Sequence, residues 1–81
     1  MKIEVSFLSM LRVITGVNQI ELELPEDCTV SGLRTILLKK YPQLRQGLES
    51  AIIAIDHTQS TDDLLIKPGM DISIFPPVAG G

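Results

Sequence analysis

The residues of this chain that most clearly could take part in chemistry are the last four, Val78, Ala79, Gly80 and Gly81. The two glycines have no β-carbon, so this end of the chain can pass through a channel that would block a larger residue. Such a channel would receive the Gly81 carboxylate, which becomes a useful electrophile once a good leaving group is attached. A frayed terminus made of small residues has the same composition, so the two glycines alone do not distinguish these explanations.

Cys28, His57 and the pair Asp62 and Asp63 are the other candidates for chemistry. Cys28 follows two acidic residues and has no neighbouring base to generate a thiolate, which favours an inert structural thiol. His57 belongs to a hydrophilic turn, which favours a surface loop. Asp62 and Asp63 are adjacent, and adjacent carboxylates point apart in an extended chain, so this pair is interpreted as part of a solvated turn. One cysteine and one histidine cannot form a tetrahedral zinc site or an intrachain disulfide, so no metal site is predicted.

The composition predicts one small domain that binds or carries rather than one that catalyses. The chain has 81 residues, of which 44% are hydrophobic and 21% charged, enough for a single core but with little room for a catalytic pocket. Its net charge of -3 argues against nucleic acid as a partner. Because no apolar run approaches the ~20 residues of a membrane helix and no signal core is apparent, we expect a cytoplasmic protein without a membrane partner.

Alternating apolar residues predict two strands in the first third of the chain, near residues 2–8 and 19–24, where Pro25 ends the pattern. The segment between them, residues 9–15, lacks this alternation and stops at Gly16, which is typical of a short helix closed by a left-handed glycine. The two strands are therefore predicted to form a hairpin.

A helix is predicted from about Val30 to Lys40, because Thr29 is a good N-cap and apolar residues follow at helical spacing. The continuous apolar run at 51–55 predicts an interior strand. The polar segment 57–63 leaves room for at most a short edge strand, and Ile72 and Ile74 alternate with polar residues in a last strand.

This order of elements predicts a two-layer α+β domain, a mixed sheet with one main helix on one face. The β-grasp, or ubiquitin-like, arrangement fits it, with the first and last strands parallel and adjacent at the sheet centre. A ferredoxin-like topology would need a second long helix, for which residues 43–50 are too few. We expect a domain of residues 1–75 followed by a flexible tail, 76–81. The predicted core consists of in-phase apolar positions: Ile3, Val5, Phe7, Leu22, Leu33, Leu37, Ile53, Ile55, Ile72 and Ile74.

The final segment, Phe75-Pro76-Pro77-Val78-Ala79-Gly80-Gly81, on a chain of this size and order, resembles the MoaD/ThiS sulfur carriers, and within them the small subunits of molybdopterin synthase. The layout agrees along the whole chain, with further matches at Leu11-Arg12, Thr29-Val30, Tyr41-Pro42 and Ile66-Lys67-Pro68-Gly69. The chain departs from the family at Asp56, where Asn is usual, and in the polar segment 57–61. Those departures lie in the hairpin from which the family contacts its partner, and they bear on Gln59 in particular as a contact residue.

The resemblance implies a sulfur carrier with no catalytic side chains of its own. An ATP-dependent activating enzyme would adenylate Gly81, and sulfur delivery would then produce a C-terminal thiocarboxylate. The tail residues Val78, Ala79 and Gly80 would thread into the large subunit, where sulfur passes to precursor Z, or cyclic pyranopterin monophosphate, in molybdenum cofactor biosynthesis. The family implies a heterotetramer with the large subunit and no permanently bound cofactor, ATP being used by the activating partner.

Three alternatives remain open at this point. A thiamine-pathway sulfur carrier has a similar fold and a Gly-Gly end, but is usually shorter and lacks the Phe75-Pro76-Pro77 exit. In a ubiquitin-like modifier, a lysine would capture the activated Gly81. A plain interaction domain with a frayed end would not depend on Gly80 and Gly81.

The strand pattern also predicts a partner-binding surface next to the tail. Leu8 and Phe75 are each in phase with the polar residues of their strands, so both should face away from the helix. If the first and last strands are parallel neighbours, these two side chains lie together beside Pro76 and Pro77, where an apolar surface has no use in a monomer. The alternative is that Phe75 folds back over an edge of the core.

Overall fold

The computed structural model describes residues 1–45 and 51–76. Within these residues, five strands form one mixed sheet in the order β2-β1-β5-β3-β4, in which β1 and β5 are parallel and the other pairs antiparallel. The elements along the chain are β1 (Lys2–Phe7), α1 (Met10–Thr15), β2 (Gln19–Glu23), α2 (Val30–Lys40), a 3-10 turn (Pro42–Leu44), β3 (Ile52–Ile55), β4 (Thr58–Gln59) and β5 (Ile72–Phe75). This is the predicted β-grasp fold, an α+β domain with one main helix.

The centre of the sheet is the parallel pair β1 and β5, as predicted. Val5 lies opposite Ile72 and Phe7 opposite Ile74, and the Leu8 N–H extends the pairing by donating to the Ile74 carbonyl at 2.9 Å. Because β2 and β3 flank this pair, the chain leaves the sheet from its middle rather than from an edge.

The short connection from β1 to β2 forms α1, with Leu11 as its buried residue. Gly16 ends the helix with φ 79, the left-handed conformation that glycine adopts without strain, and its N–H donates to the Arg12 carbonyl at 3.0 Å. The prediction of a helical turn closed by this glycine is confirmed.

The main helix, α2, has the predicted bounds and begins at a side-chain cap. The Thr29 hydroxyl accepts a hydrogen bond from the Gly32 N–H at 3.1 Å. A β-carbon at position 32 would lie 3.1 Å from the Cys28 sulfur, so glycine here permits close packing that offsets its poor helix propensity. Leu33 and Leu37 are fully buried against the sheet.

All ten predicted core residues are buried in one cluster between the sheet and α2. The cluster also includes buried residues from connecting segments, among them Leu11, Leu24, Leu44, Ala51 and Ile66. Within residues 1–45 and 51–76, no helix is long and apolar enough to cross a membrane.

Candidate functional site

The candidate site begins where β5 carries the chain out of the sheet. Ile72 and Ile74 are buried on the helix side, so Phe75 points to the opposite face by strand alternation. On that face Phe75 lies opposite Ile52 of β3, and the Leu8-to-Ile74 hydrogen bond places Leu8 beside it on the β1 side. We call Leu8, Ile52 and Phe75 the exit row.

The exit row is the apolar end of a sheet face whose other β1 and β2 residues are polar. The side chain of Leu8 is 40% exposed, while Ile52, Phe75 and the following Pro76 are half-buried. The next register row along the same face pairs Ser6 with Ser73. The structure therefore brings Leu8 and Phe75 together as the alternation predicted, and their binding of a partner remains a prediction.

The tail proper lies beyond this platform. Pro77, Val78, Ala79, Gly80 and Gly81 fall outside the described residues, so the predicted roles of the tail and of Pro77 remain predictions. What the described residues supply is the starting point of the tail, a strand end held on both sides by β1 and β3. Pairing with both neighbouring strands fixes the position from which the tail begins.

Cys28 occupies a structural position. It is buried, its thiol lies against Gly32, and its Sγ–H donates to the Thr29 carbonyl at 3.4 Å. Burial raises the pKa of the Cys28 thiol, so the group is protonated at neutral pH and is a poor nucleophile. This geometry agrees with an inert thiol.

His57 lies in the tight turn between β3 and β4. Asp56 has φ 51 and His57 φ 70, and the flanking residues Ile55 and Thr58 are paired, so two left-handed residues form a two-residue hairpin loop. The Asp56 carboxylate accepts from the Asp71 N–H at 3.0 Å, and the Asp56 N–H donates to the Asp71 carbonyl at 2.8 Å. The side chain and the backbone of Asp56 thus tie the turn to the residue before β5, while His57 is exposed.

Of the acidic pair, Asp62 joins the loop after β4 to the first turns of α2, whereas Asp63 bonds within the loop. The Arg34 Nε–H donates to the Asp62 carboxylate at 3.1 Å, and the Ser31 N–H donates to the Asp62 carbonyl at 2.9 Å. Asp63 accepts a hydrogen bond of 2.6 Å from the Thr61 hydroxyl. In the described part of the chain, no group of three or more His, Cys, Asp or Glu side chains could hold a metal ion.

Two features near the exit were missing from the sequence analysis. Ile52 completes the exit row. The continuous apolar run 51–55 did not indicate that one of its residues would be only half-buried. The helix α1 exposes Met10 and Val13, which are 62% and 72% exposed. Helical spacing around the buried Leu11 was the available signal, because residues one before and two after it fall away from the core.

Comparison with known proteins agrees with this architecture. Residues 5–81 match the ThiS family. The molybdopterin synthase sulfur carrier subunit of Haemophilus influenzae is 32% identical over 81 residues, covering 98% of this chain and 99% of that protein.

Solved structures of similar proteins also cover nearly all of the chain. A chain from the complex of subunits 1 and 2 of the molybdopterin-converting factor from Helicobacter pylori has a TM-score of 0.72 at 26% identity, with 100% of both chains covered. The small archaeal modifier protein 1 from Methanosarcina acetivorans has a TM-score of 0.78 at 26% identity, covering 99% of this chain and 96% of that one. With the family match extending over residues 5–81, this chain belongs to the ThiS family, which confirms the resemblance to the MoaD/ThiS group.

Proposed function

We propose that this chain is the sulfur-carrier small subunit of molybdopterin synthase, which delivers sulfur as a thiocarboxylate on Gly81. The observation that carries the proposal is the central exit of β5 beside the exit row, on a chain similar along nearly its whole length to a curated carrier subunit. A rigid platform with a tail of small residues suits a protein whose terminus reacts inside other proteins.

The chemistry takes place at the carboxylate and needs no side chain of this chain. A Gly81 carboxylate oxygen attacks the α-phosphorus of ATP, so that pyrophosphate leaves and an acyl-adenylate forms. Hydrosulfide, supplied as such or released from a donor persulfide by a reducing thiol, then attacks the acyl carbon, and AMP leaves because a phosphate ester is a far better leaving group than oxide. The resulting thiocarboxylate is the sulfur nucleophile for precursor Z, and the carrier returns to the carboxylate form when that sulfur has been transferred and water has replaced it.

The described residues contribute position rather than catalysis. Five residues follow Pro76, and an extended chain spans at most ~3.3 to 3.6 Å per residue, so the Gly81 carboxylate reaches roughly 17 Å from Pro76. Leu8, Phe75, Pro76 and Pro77 would contact the partner around the entrance to its site. Val78, Ala79 and Gly80 would occupy the channel. The partners in this proposal are the large subunit, with which the family implies a heterotetramer, and an ATP-dependent activating enzyme.

A ubiquitin-like modifier is the second candidate, because a small archaeal modifier protein is among the solved structures that match. Both functions begin with the same activation of Gly81. They differ in the nucleophile that receives the acyl group, a sulfur donor in the carrier and a protein lysine in the modifier.

Intact-mass analysis tests the proposal. The protein is incubated with ATP, its activating enzyme and a sulfur source, and the expected product gains the mass difference between sulfur and oxygen. The matched control is the same chain with Gly81→Ala, which should stay unmodified. Isopeptide adducts on lysines of other proteins, with no sulfur-bearing product, would instead support the modifier.

A further inference from the structure

The short helix α1 has an apolar face that the core does not use. Leu11 is 1% exposed and anchors the helix, whereas Met10, Val13 and Ile14 are 62%, 72% and 37% exposed. These three residues follow the i, i+3, i+4 spacing of one side of a helix, and Arg12 falls on another side. We call Met10, Val13 and Ile14 the α1 face.

The α1 face lies at the end of the domain from which the tail leaves. Leu8 connects the two features, because its N–H donates to the Ile74 carbonyl in β5 and its own carbonyl accepts from the Leu11 N–H at 3.2 Å. The helix also approaches β5 and the 3-10 turn Pro42–Leu44 directly. The exposed side chain of Leu8 therefore joins the exit row to the region of α1.

The exit row is too small to hold a partner by itself. A stable complex buries roughly 800 Å² on each partner, from about 20 to 30 residues. The exit row offers three side chains, two of them half-buried, and the tail ends in small residues. A stable interface must therefore extend to further surface around the exit.

The sheet face and α1 offer different extensions. Along the sheet, the exit row is followed by Ser6 and Ser73, and then by Glu4 directly opposite Glu21 on β2. Charged residues are depleted in the buried centres of interfaces, where apolar side chains are favoured. The α1 face offers the apolar extension.

Building on the proposed function, we propose that the α1 face is a docking surface for the large subunit of molybdopterin synthase. A protein that holds Gly81 must come within roughly 17 Å of Pro76, so its surface must face this end of the domain. Of the two proteins that receive the tail, the large subunit is favoured over the activating enzyme because the matching Helicobacter pylori chain comes from a complex of subunits 1 and 2. The complementary surface on the large subunit is aliphatic or aromatic and borders the channel for the tail.

A matched pair of double variants tests this docking surface. Met10→Glu with Val13→Glu places two charges on the α1 face, and Leu64→Glu with Leu65→Glu places the same charges on leucines that are 37% and 46% exposed. The control site lies at the other end of α2, where the Leu64 carbonyl accepts from the Val30 N–H and Leu65 bridges to Thr29. Both variants change the net charge equally.

The measurement is the Kd for the large subunit from the same organism by isothermal titration, with thermal melting as a check on folding. The α1 variant should bind about tenfold more weakly or worse, because its charges would be buried in an apolar interface, and the control should stay within about twofold of the unchanged chain. If the α1 variant melts early, Val13→Glu alone serves, since that side chain is the most exposed; a loss of about threefold is then expected.

The same proteins are assayed for thiocarboxylate formation, which separates this inference from the proposed function. Weaker binding with unchanged melting supports the inference. Unchanged binding by the α1 variant, while the unchanged chain binds and carries sulfur, overturns the inference alone. Normal binding with impaired adenylation assigns the face to the activating enzyme, and loss of self-association seen by light scattering assigns it to a second copy; each overturns the inference. If the unchanged chain neither binds the large subunit nor forms a thiocarboxylate, both proposals fail.

Discussion

The two ends of α2 differ in the contacts that surround them. At the start of α2, backbone hydrogen bonds join Val30 and Ser31 to the loop after β4, and Arg34 pairs with Asp62 there. At the other end, the neighbouring α1 and exit row leave Met10, Val13 and Leu8 open to solvent. The first end is closed by hydrogen bonds within the chain and keeps two partly exposed leucines, Leu64 and Leu65, whereas the second end retains apolar surface beside the tail. The comparison indicates that the hydrogen bonds at the first end lie apart from the proposed binding surface, so they can be changed without altering that surface.

The largest expected effect comes from the tail. Gly81→Ala, a bulky replacement of Gly80, or one residue added after Gly81 should each nearly abolish sulfur transfer, because the side chain does not fit or the carboxylate is displaced. Folding stability should stay within ~0.5 kcal/mol, as for other surface substitutions. Thiocarboxylate formation by intact mass and the unfolding free energy in urea measure the two effects. An extended chain that gains sulfur at its new end and supports cofactor synthesis would contradict the carrier mechanism.

A substitution at the centre of the core should lower stability and leave the chemistry of the tail unchanged. Leu37→Ala removes a fully buried side chain of α2 and should lower the free energy of unfolding by about 2 to 5 kcal/mol. Denaturant unfolding measures this loss. At a temperature where the variant is still folded, its tail should be adenylated at the normal rate, and a large defect there would show that core and tail are coupled.

Changes in the exit row should weaken partner binding. Leu8→Asp and Phe75→Asp each place a charge in the proposed interface and should reduce binding of the large subunit and of the activating enzyme by about 2 kcal/mol. Thr35→Asp, at an exposed position of α2, is the control for added charge. Titration of both partners measures the effect. If both exit-row variants bind both partners normally, the exit row is not an interface.

A smaller effect is expected at the cap of α2. Thr29→Ala removes the oxygen that accepts from the Gly32 N–H and should cost about 1 kcal/mol of stability. Thr29→Ser retains that oxygen and should recover most of the loss, which thermal melting of the two variants would reveal. Because this end of α2 is far from the tail, binding of the large subunit should be unchanged in both.

The smallest expected effect is the contribution of the Cys28 thiol to folding stability, which does not change near neutral pH. Its raised pKa means that the folded chain holds the thiol proton more tightly than the unfolded chain, so stability is complete below the ordinary thiol pKa and falls as pH rises above about 8.5. Iodoacetamide should therefore label Cys28 slowly in the folded chain and rapidly in urea. A Cys28→Ala chain should lose the alkaline decline, and rapid labelling of the folded protein at pH 7 would contradict a buried protonated thiol.

Local patterns in the sequence predicted most of the fold. The alternation in β1 and β5 and the helical spacing of Leu33 and Leu37 identified core positions correctly, because burial on one face leaves a periodic trace. The burial of Leu44 was missed, since a single 3-10 turn after Pro42 is too short to produce a periodic pattern. The close approach of Cys28 to Gly32 was likewise invisible, because it depends on how the chain enters α2.

The candidate site was predicted less completely than the core. The parallel neighbours β1 and β5 were expected from the order of elements, so the placement of Leu8 beside Phe75 followed from strand phase alone. Ile52 and the α1 face required knowledge of which strand borders β5 and of where α1 packs. Such contacts join residues far apart in the chain, and no local pattern encodes them.

The central position of β5 makes the order of synthesis important for this small domain. β1 emerges from the ribosome long before β5, yet the two strands are direct neighbours in the sheet. β3 also pairs with β5 and is made before it. A chain that stops before residue 72 therefore has two open strand edges in the middle of its sheet, and unpaired edges favour aggregation and attract proteolysis. The topology thus makes closure of the sheet depend on the last strand, so a chain without β5 leaves both its neighbours unpaired.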